Sequence, residues 1–384
     1  MSASLKLGRI AGIEIGVNWS LFIVFFLFAT QLAGEDLPAN APGYSAGAYT
    51  IAALAAVVLF YASLLAHELG HAVVARRLGT RVEGITLWLF GGVARLAGES
   101  RSDSAELRIT VIGPLISLLV AISSALIGAG LLTLNGSQLV AEVFGWLARI
   151  NFLLAAFNLI PAFPLDGGRI LRAILWRVMQ DQARATSIAA TLGRGFGAVL
   201  ILAGIGEAFI LGSFVNGLWL GFLGWFLFQA AGSEEAGTRV QRSLAGVKVR
   251  DVMTPDPVTA PDWITVDDFL ARVASVYQAP AYPVRDFQGH LAGLVTLSDL
   301  AAVPAAARGA TQIRNVARPV SPALVAHPDE PVLDAISRST SWAAGAFLVM
   351  EGDQLVGLLS LEDLDRRVEL SQSQRPTTTF STSR

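Results

Sequence analysis

The 384-residue chain has no cysteine and only four histidines. The first absence excludes disulfides, iron–sulfur clusters, thiol nucleophiles and zinc sites built on thiolates. Any transition metal must therefore be held by nitrogen or oxygen. Charge is scarce as well: Asp, Glu, Lys and Arg make up 15% of the residues, against ~25% in an ordinary globular chain. The shortage is uneven. Residues 1–235 hold 28 charged side chains, about 12% of that stretch, and residues 236–384 hold 30, about 20%. There is no basic block and the formal net charge is −2, which argues against nucleic acid as a partner. Apolar residues are abundant, at 53% with a mean hydropathy of +0.55. The combination excludes a single soluble globule and a disordered chain. It points to a membrane part followed by a soluble part.

Six stretches carry no Asp, Glu, Lys or Arg: Ile15–Gly34, Leu37–His67, Ile109–Ala141, Ile150–Leu165, Gly195–Gly206 and Ala208–Ser233. A helix needs ~20 apolar residues to cross ~30 Å of hydrocarbon. The expected spans are 17–34, 50–75, 109–133, 139–160, 193–212 and 214–232, with Arg149 inside the fourth and Glu207 inside the fifth. A signal peptide is the rival reading of the first; its late start, Glu14 and the lack of a clean A-x-A site favour a helix. Of the 14 Lys and Arg in residues 1–235, 13 fall before the first span, between the second and third, or between the fourth and fifth. The alternate loops have none. Basic loops stay cytoplasmic, so the N-terminus and the soluble C-terminal part are expected in the cytoplasm of a plasma-membrane protein.

The second span ends in His67-Glu68-Leu69-Gly70-His71. On a helix, positions i and i+4 share a face, so both imidazoles reach one ion and Glu68 can take a proton from a metal-bound water. Ionisable groups inside a span are costly and mark function. The alternative is two interfacial histidines satisfied by neighbours. A hydrolytic zinc site uses three protein ligands and an open position. His290 and His327 lie in the soluble part. A carboxylate candidate is Asp166, in Asn158-Leu-Ile-Pro-Ala-Phe-Pro-Leu-Asp-Gly-Gly-Arg169, where prolines and glycines break the helix. The alternative for Asp166 is the cap of a cytoplasmic helix starting near Gly168.

HELGH followed by NLIPAFPLDGGR resembles the site-2 protease family of intramembrane zinc metalloproteases. LKLGRIAGIEIGVNWS, GTRVEGITLWLFGGVARL and Gly113-Pro114 extend the resemblance over roughly residues 5–232. It implies Zn2+ on His67, His71 and Asp166, Glu68 as general base, and substrate positioning by Asn158. Cleavage of a helix also requires it to unwind. Residues 81–96 alternate as a strand does, with Gly91-Gly92 as a turn signal. A strand edge there could hold an unwound substrate or simply plug the cytoplasmic mouth. Glu207 is expected ~20 Å beyond Arg194 along a helix, in a structural or gating role, with Arg149 as a candidate partner.

Residues 233–246 are polar and read as a linker. Beyond them the chain repeats at an offset of 64: Gly293-Leu-Val-Thr-Leu-Ser-Asp-Leu300 matches Gly357-Leu-Leu-Ser-Leu-Glu-Asp-Leu364. The pattern resembles a tandem pair of cystathionine-β-synthase (CBS) domains, at 247–304 and 311–370. That resemblance implies ATP or AMP near Thr296, Asp299, Ser360 and Asp363, and the capacity to form a homodimer. The alternative for these four residues is a capping box at each helix start. The tail, 371–384, is expected to be disordered.

The expected fold is thus a polytopic α-helical membrane protein with a small β-hairpin (residues 1–232) and a C-terminal α/β tandem CBS unit. The expected activity is zinc endopeptidase cleavage of spanning segments of single-pass membrane proteins within the lipid bilayer, modulated by the CBS pair. A CBS-regulated channel or transporter, and an inactive relative that binds membrane proteins, are the rivals.

Overall fold

The computed structural model describes residues 4–89, 91–97, 102–338 and 345–373. The chain divides into two compact units, residues 1–238 and 239–384. The first opens with an antiparallel hairpin of β1 (Leu5–Ile10) and β2 (Ile13–Val17), turning at Ala11 and Gly12 with positive φ. The next helix, α1 (Leu21–Gln31), continues through one π-helical turn into α2 (Leu37–Asn40). Then come α3 (Ala46–Arg77), β3 (Arg81–Trp88), β4 (Gly91–Ala97), α4 (Asp103–Thr133) and α5 (Gln138–Asn158). The unit closes with α6 (Asp166–Met179), α7 (Gln182–Phe209) and α8 (Phe214–Leu244), the last of which runs past its boundary. Short polar side chains start four of these helices. Ser45, Ser102 and Ser137 accept from the amides of Ala48, Ala105 and Val140, and Asp181 accepts from Ala183 and Arg184. Each cap satisfies amides that have no partner within the helix.

Among the described residues, six helices are long and apolar enough to cross a membrane: the α1–α2 run, α3, α4, α5, α7 and α8. Their number and order match the expected spans; their ends do not. Gln182 starts α7 eleven residues before the expected 193, and α8 continues to Leu244, through most of the segment read as a linker. Hydropathy marks where a helix meets hydrocarbon, whereas its hydrogen bonding persists into polar surroundings. The expected Arg149–Glu207 pairing is also corrected. Arg149 donates to Glu142, seven residues earlier on the same helix, at 2.6 Å. Glu207 lies two residues from the end of α7, partly exposed.

A four-stranded sheet, β1-β2-β3-β4, stands against the C-terminal half of α3. Parallel pairing of β2 with β3 sets Ile15 opposite Ile85 and Val17 opposite Leu87. These four, with Ile13, bury against Leu64 and Ala72 of α3. Strand alternation, with side chains on opposite faces of the sheet, is what gives this layer its dry face. The expected β segment at 81–96 is present, and Gly91 and Gly92 both belong to β4. At the other end of α3, the Phe60, Trp146 and Phe28 rings meet edge to face, joining α3, α5 and α1.

The second unit contains two four-stranded sheets. Its strands are β5 (Thr254–Pro255), β6 (Ala260–Pro261), β7 (Ala281–Arg285), β8 (Leu291–Thr296), β9 (Arg318–Pro319), β10 (Val325–Ala326), β11 (Ala346–Glu351) and β12 (Gln354–Ser360). The sequence repeat appears as two antiparallel hairpins, β7–β8 and β11–β12. The sheets cross the repeat boundaries, because β9 pairs with β8 and β5 pairs with β12. Ala281, Leu294, Ala346, Leu348 and Leu358 form a core shared by both hairpins. The final helix extends to Ser373; residues 374–384, the rest of the expected disordered tail, lie outside the described residues.

Asp299 lends this unit an acid-sensitive tie. Burial pushes its carboxyl up, but the Arg318 guanidinium at 2.7 Å and the Thr296 N–H and O–H hold it below the usual carboxylate range. A depressed folded-state value contributes stability above ~3.9, the unfolded carboxylate value, and loses it as pH falls. Arg318→Ala is therefore expected to weaken protection of residues 281–300 at neutral pH and to flatten its decline towards acid. Hydrogen exchange, corrected for its intrinsic pH dependence, measures both.

Candidate metal centre

In the C-terminal half of α3, His67 and His71 lie on one face, and both are buried. Their rings are 4.9 Å apart between centroids. The Nδ1 of His71 donates to the Ile109 carbonyl of α4 at 2.7 Å. A carbonyl only accepts, so that proton is fixed on Nδ1 and the neutral ring keeps a bare lone pair on Nε2. The Nδ1 of His67 meets the buried Ser117 hydroxyl of α4 at 2.9 Å. Both Nε2 atoms turn towards a single oxygen, Asp166 Oδ2, at 3.2 and 3.3 Å.

Asp166 is the first residue of α6, so it does open a helix, as the capping alternative required. The N-cap position is Leu165, and the Asp166 carboxylate faces the histidines. The two glycines that follow allow this. A Cβ on Gly167 would strike the carbonyls of Leu159 and Ile160, and one on Gly168 would fall 2.5 Å from the Phe163 amide nitrogen. The Asp-Gly-Gly turn is therefore folded back onto the loop before it. Phe163, in that loop, is buried with Ala189, Ala190 and Ala231.

Gly113 of α4 faces the same point. A Cβ there would collide with Nε2 of His71 and come within 2.6 Å of Nε2 of His67. Glu68, next along α3, sits against β4: a Cβ on Gly92 would fall 2.9 Å from its Oε1. Asn158 ends α5, partly buried, outside the three-donor cluster. Around the centre, Arg169 of α6 pairs with Glu234 of α8 at 3.2 Å, and Arg194 of α7 pairs with Glu235 at 2.6 Å.

The three donor atoms lie within 4.8 Å of one another, and among the described residues no other such group occurs. Two ligands at ~2.0–2.1 Å from a tetrahedral zinc are separated by about 3.3–3.4 Å, close to the two measured separations. The donor set suits zinc: two imidazoles with second nitrogens already anchored, and one carboxylate. Sequence reasoning missed Ser117 and the Ile109 carbonyl as anchors. A signal existed for Ser117: Thr110, Ser117 and Ser124, two turns apart, form a buried polar stripe in an apolar helix.

The four residues expected near a nucleotide form two capping boxes. Thr296 Oγ1 accepts from the Asp299 amide at 3.1 Å and Asp299 Oδ2 accepts from the Thr296 amide at 3.1 Å. Ser360 and Asp363 repeat the motif at 3.3 and 2.9 Å. The remaining oxygens are engaged too, Asp299 Oδ1 by Arg318 and Asp363 Oδ1 by Thr254 at 2.8 Å.

Gly113→Ala is expected to abolish zinc binding, because the added methyl occupies the space between the two Nε2 atoms. Gly130→Ala, farther along the same helix with nothing within 4 Å of an added Cβ, is expected to bind zinc normally. Elemental analysis of both purified proteins distinguishes them.

Comparison with known proteins agrees with this chemistry. The family model for Peptidase family M50 matches residues 55–136 and 129–202, and that for the CBS domain matches 249–305 and 313–369. Rip3 of Mycobacterium tuberculosis (strain H37Rv), named as a zinc metalloprotease, is 43% identical over 387 residues, covering all of this chain and 97% of Rip3. Zinc metalloprotease MJ0392 of Methanocaldococcus jannaschii is 29% identical over 371 residues, covering 96% of this chain and 97% of the relative. The solved site-2 protease from Methanocaldococcus jannaschii is 30% identical, covering 60% of this chain and 94% of that one, with a TM-score of 0.40. The chain belongs to peptidase family M50, the site-2 proteases, as a multi-pass membrane zinc metalloprotease carrying a tandem CBS pair.

Proposed function

We propose that this chain cleaves peptide bonds in the spanning segments of single-pass membrane proteins, at a zinc ion held by His67, His71 and Asp166. The observation that carries the reading is the convergence of two imidazole nitrogens, Nε2 of His67 and Nε2 of His71, on one carboxylate oxygen. Without a cation or a shared proton, those lone pairs repel. Held by His67, His71 and Asp166, a zinc ion would supply Lewis acidity to a water and to the scissile carbonyl. Glu68, beside the donors, accepts the water's proton and delivers it to the departing amine. Ser117 and the Ile109 carbonyl hold the rings so that Nε2 of each faces the ion. Asn158 positions the substrate backbone. β4 is an edge strand and Gly92 brings its backbone against Glu68. An unwound substrate adding to that edge would have its backbone aligned beside the base.

The distribution of basic residues supports a cytoplasmic N-terminus and a cytoplasmic CBS pair in a plasma-membrane enzyme. The pair adjusts cleavage to adenine nucleotide, ATP or AMP, through Thr296, Asp299, Ser360 and Asp363, and provides a surface for homodimer formation. Nucleotide must then exchange with the Arg318 and Thr254 contacts of the two carboxylates. Deleting residues 247–370 is expected to remove any response of cleavage to ATP; an unchanged rate and an unchanged response would sink the regulatory role.

Purified wild type is expected to hold about one zinc per chain and Asp166→Ala far less, by elemental analysis. Glu68→Gln is expected to keep its zinc while losing ~10²–10⁴-fold in cleavage rate, the usual contribution of general acid–base catalysis. Zinc retained in full by Asp166→Ala would remove the third ligand from the reading.

A further inference from the structure

One face of α4 carries more than the histidine anchors. Glu106, Ile109, Gly113 and Ser117 follow at spacings of three and four, so they stack along a single side of the helix. Ile109 and Ser117 orient the rings, and Gly113 leaves the space between them. Glu106, one turn before Ile109, reaches α6. Its Oε1 accepts from Nε of Arg172 at 2.6 Å and also from an Nη of the same guanidinium. Both partners are buried, at 2% and 7% exposure. The guanidinium also lies over the Phe163 ring, 5.3 Å from its centroid. Arg172, itself in the helix that begins at Asp166, thus ties α6 both to α4 and to the loop that aims Asp166.

We propose that Glu106 and Arg172 are positioning residues for the zinc site. The pair fixes α6 on α4, and so sets Asp166 at its distance from two histidines whose rings α4 already orients. The inference rests on the reading of His67, His71 and Asp166 as the ligand set. No part of the pair touches the donors; it acts through the placement of Asp166. Surface ion pairs are too loosely held for this. A buried pair keeps one geometry, because separating its charges leaves each without solvent.

Zinc affinity of the full-length protein, titrated in detergent against a competing chelator, tests the proposal. The visible d–d absorption of the cobalt(II)-substituted protein adds a readout of ligand geometry. Glu106→Gln and Arg172→Met are each expected to weaken zinc at least tenfold and to alter the cobalt spectrum. The double variant is expected to lose no more than the worse single one, because both remove the same contact. Arg194→Gln breaks a different ion pair of the same unit and is expected to stay within threefold of wild type. A merely structural role would lower thermal stability and leave the zinc affinity of the folded protein unchanged, and that outcome overturns the proposal. An equal loss in Arg194→Gln overturns it as well. Should the truncations not be recovered folded, Glu106→Asp and Arg172→Lys carry the comparison: a threefold or greater loss supports the proposal and wild-type affinity overturns it. Asp166→Ala separates the two levels. If it loses zinc while the Glu106 and Arg172 variants do not, only the positioning role fails. If it keeps zinc, the ligand set itself fails.

Discussion

Three lone-pair donors aimed at one another inside an apolar helix bundle repel, and the first unit of this protein is organised around that constraint. Each donor is held by something other than its neighbour. His71 is fixed by a carbonyl, His67 by a hydroxyl, and Asp166 by a turn that only glycine can close. The cost of gathering such groups is carried by α4, which gives up side-chain bulk at Gly113 and apolarity at Ser117 and Glu106. Each donor thus has a second contact, outside the cluster, that sets its direction.

The same economy governs charge elsewhere in the unit. Four acids within or beside the spans have basic partners: Glu142 with Arg149, Glu106 with Arg172, Glu234 with Arg169 and Glu235 with Arg194. Unpaired charges in hydrocarbon are strongly disfavoured. The sheet beside α3 has the complementary property. It is packed through Ile15, Val17, Ile85 and Leu87 on one face, yet it ends in a strand with backbone groups available. Rigidity on one side and open hydrogen-bonding capacity on the other suit a surface that must hold an extended chain.

Much of this was legible in the sequence because rare residue types carried it. Half of the four histidines fall in one turn, and the spans announce themselves by absent charge. The link between HELGH and Asp166, 95 residues after His71, came from resemblance, since no periodicity relates them. Less was legible where contacts are local or commonplace. The N-terminal hairpin was not foreseen: β1 and β2 alternate only over five or six residues each, and β1 is exposed throughout. Arg149 found its partner two turns back on its own helix, whereas the sequence had suggested a distant acid. A serine in an apolar helix is unremarked until a histidine is seen against it. The capping boxes were readable as such, because Thr-x-x-Asp and Ser-x-x-Asp satisfy helix-start amides whatever else they bind.

The exchange of strands between the two CBS repeats bears on how the protein is made. Pro255 of β5 pairs with Gly357 of β12, 102 residues later, and Gly293 of β8 pairs with Pro319 of β9. A ribosome therefore releases β5 long before its sheet can exist. The catalytic unit, entirely upstream, can be inserted and assembled while the second unit is still unfinished. For that interval a nascent chain carries a protease domain without a complete companion. Long-range pairing of this kind is slow to form, which lengthens the interval further. Whatever restraint the second unit provides is, by the order of synthesis alone, the last property the molecule acquires.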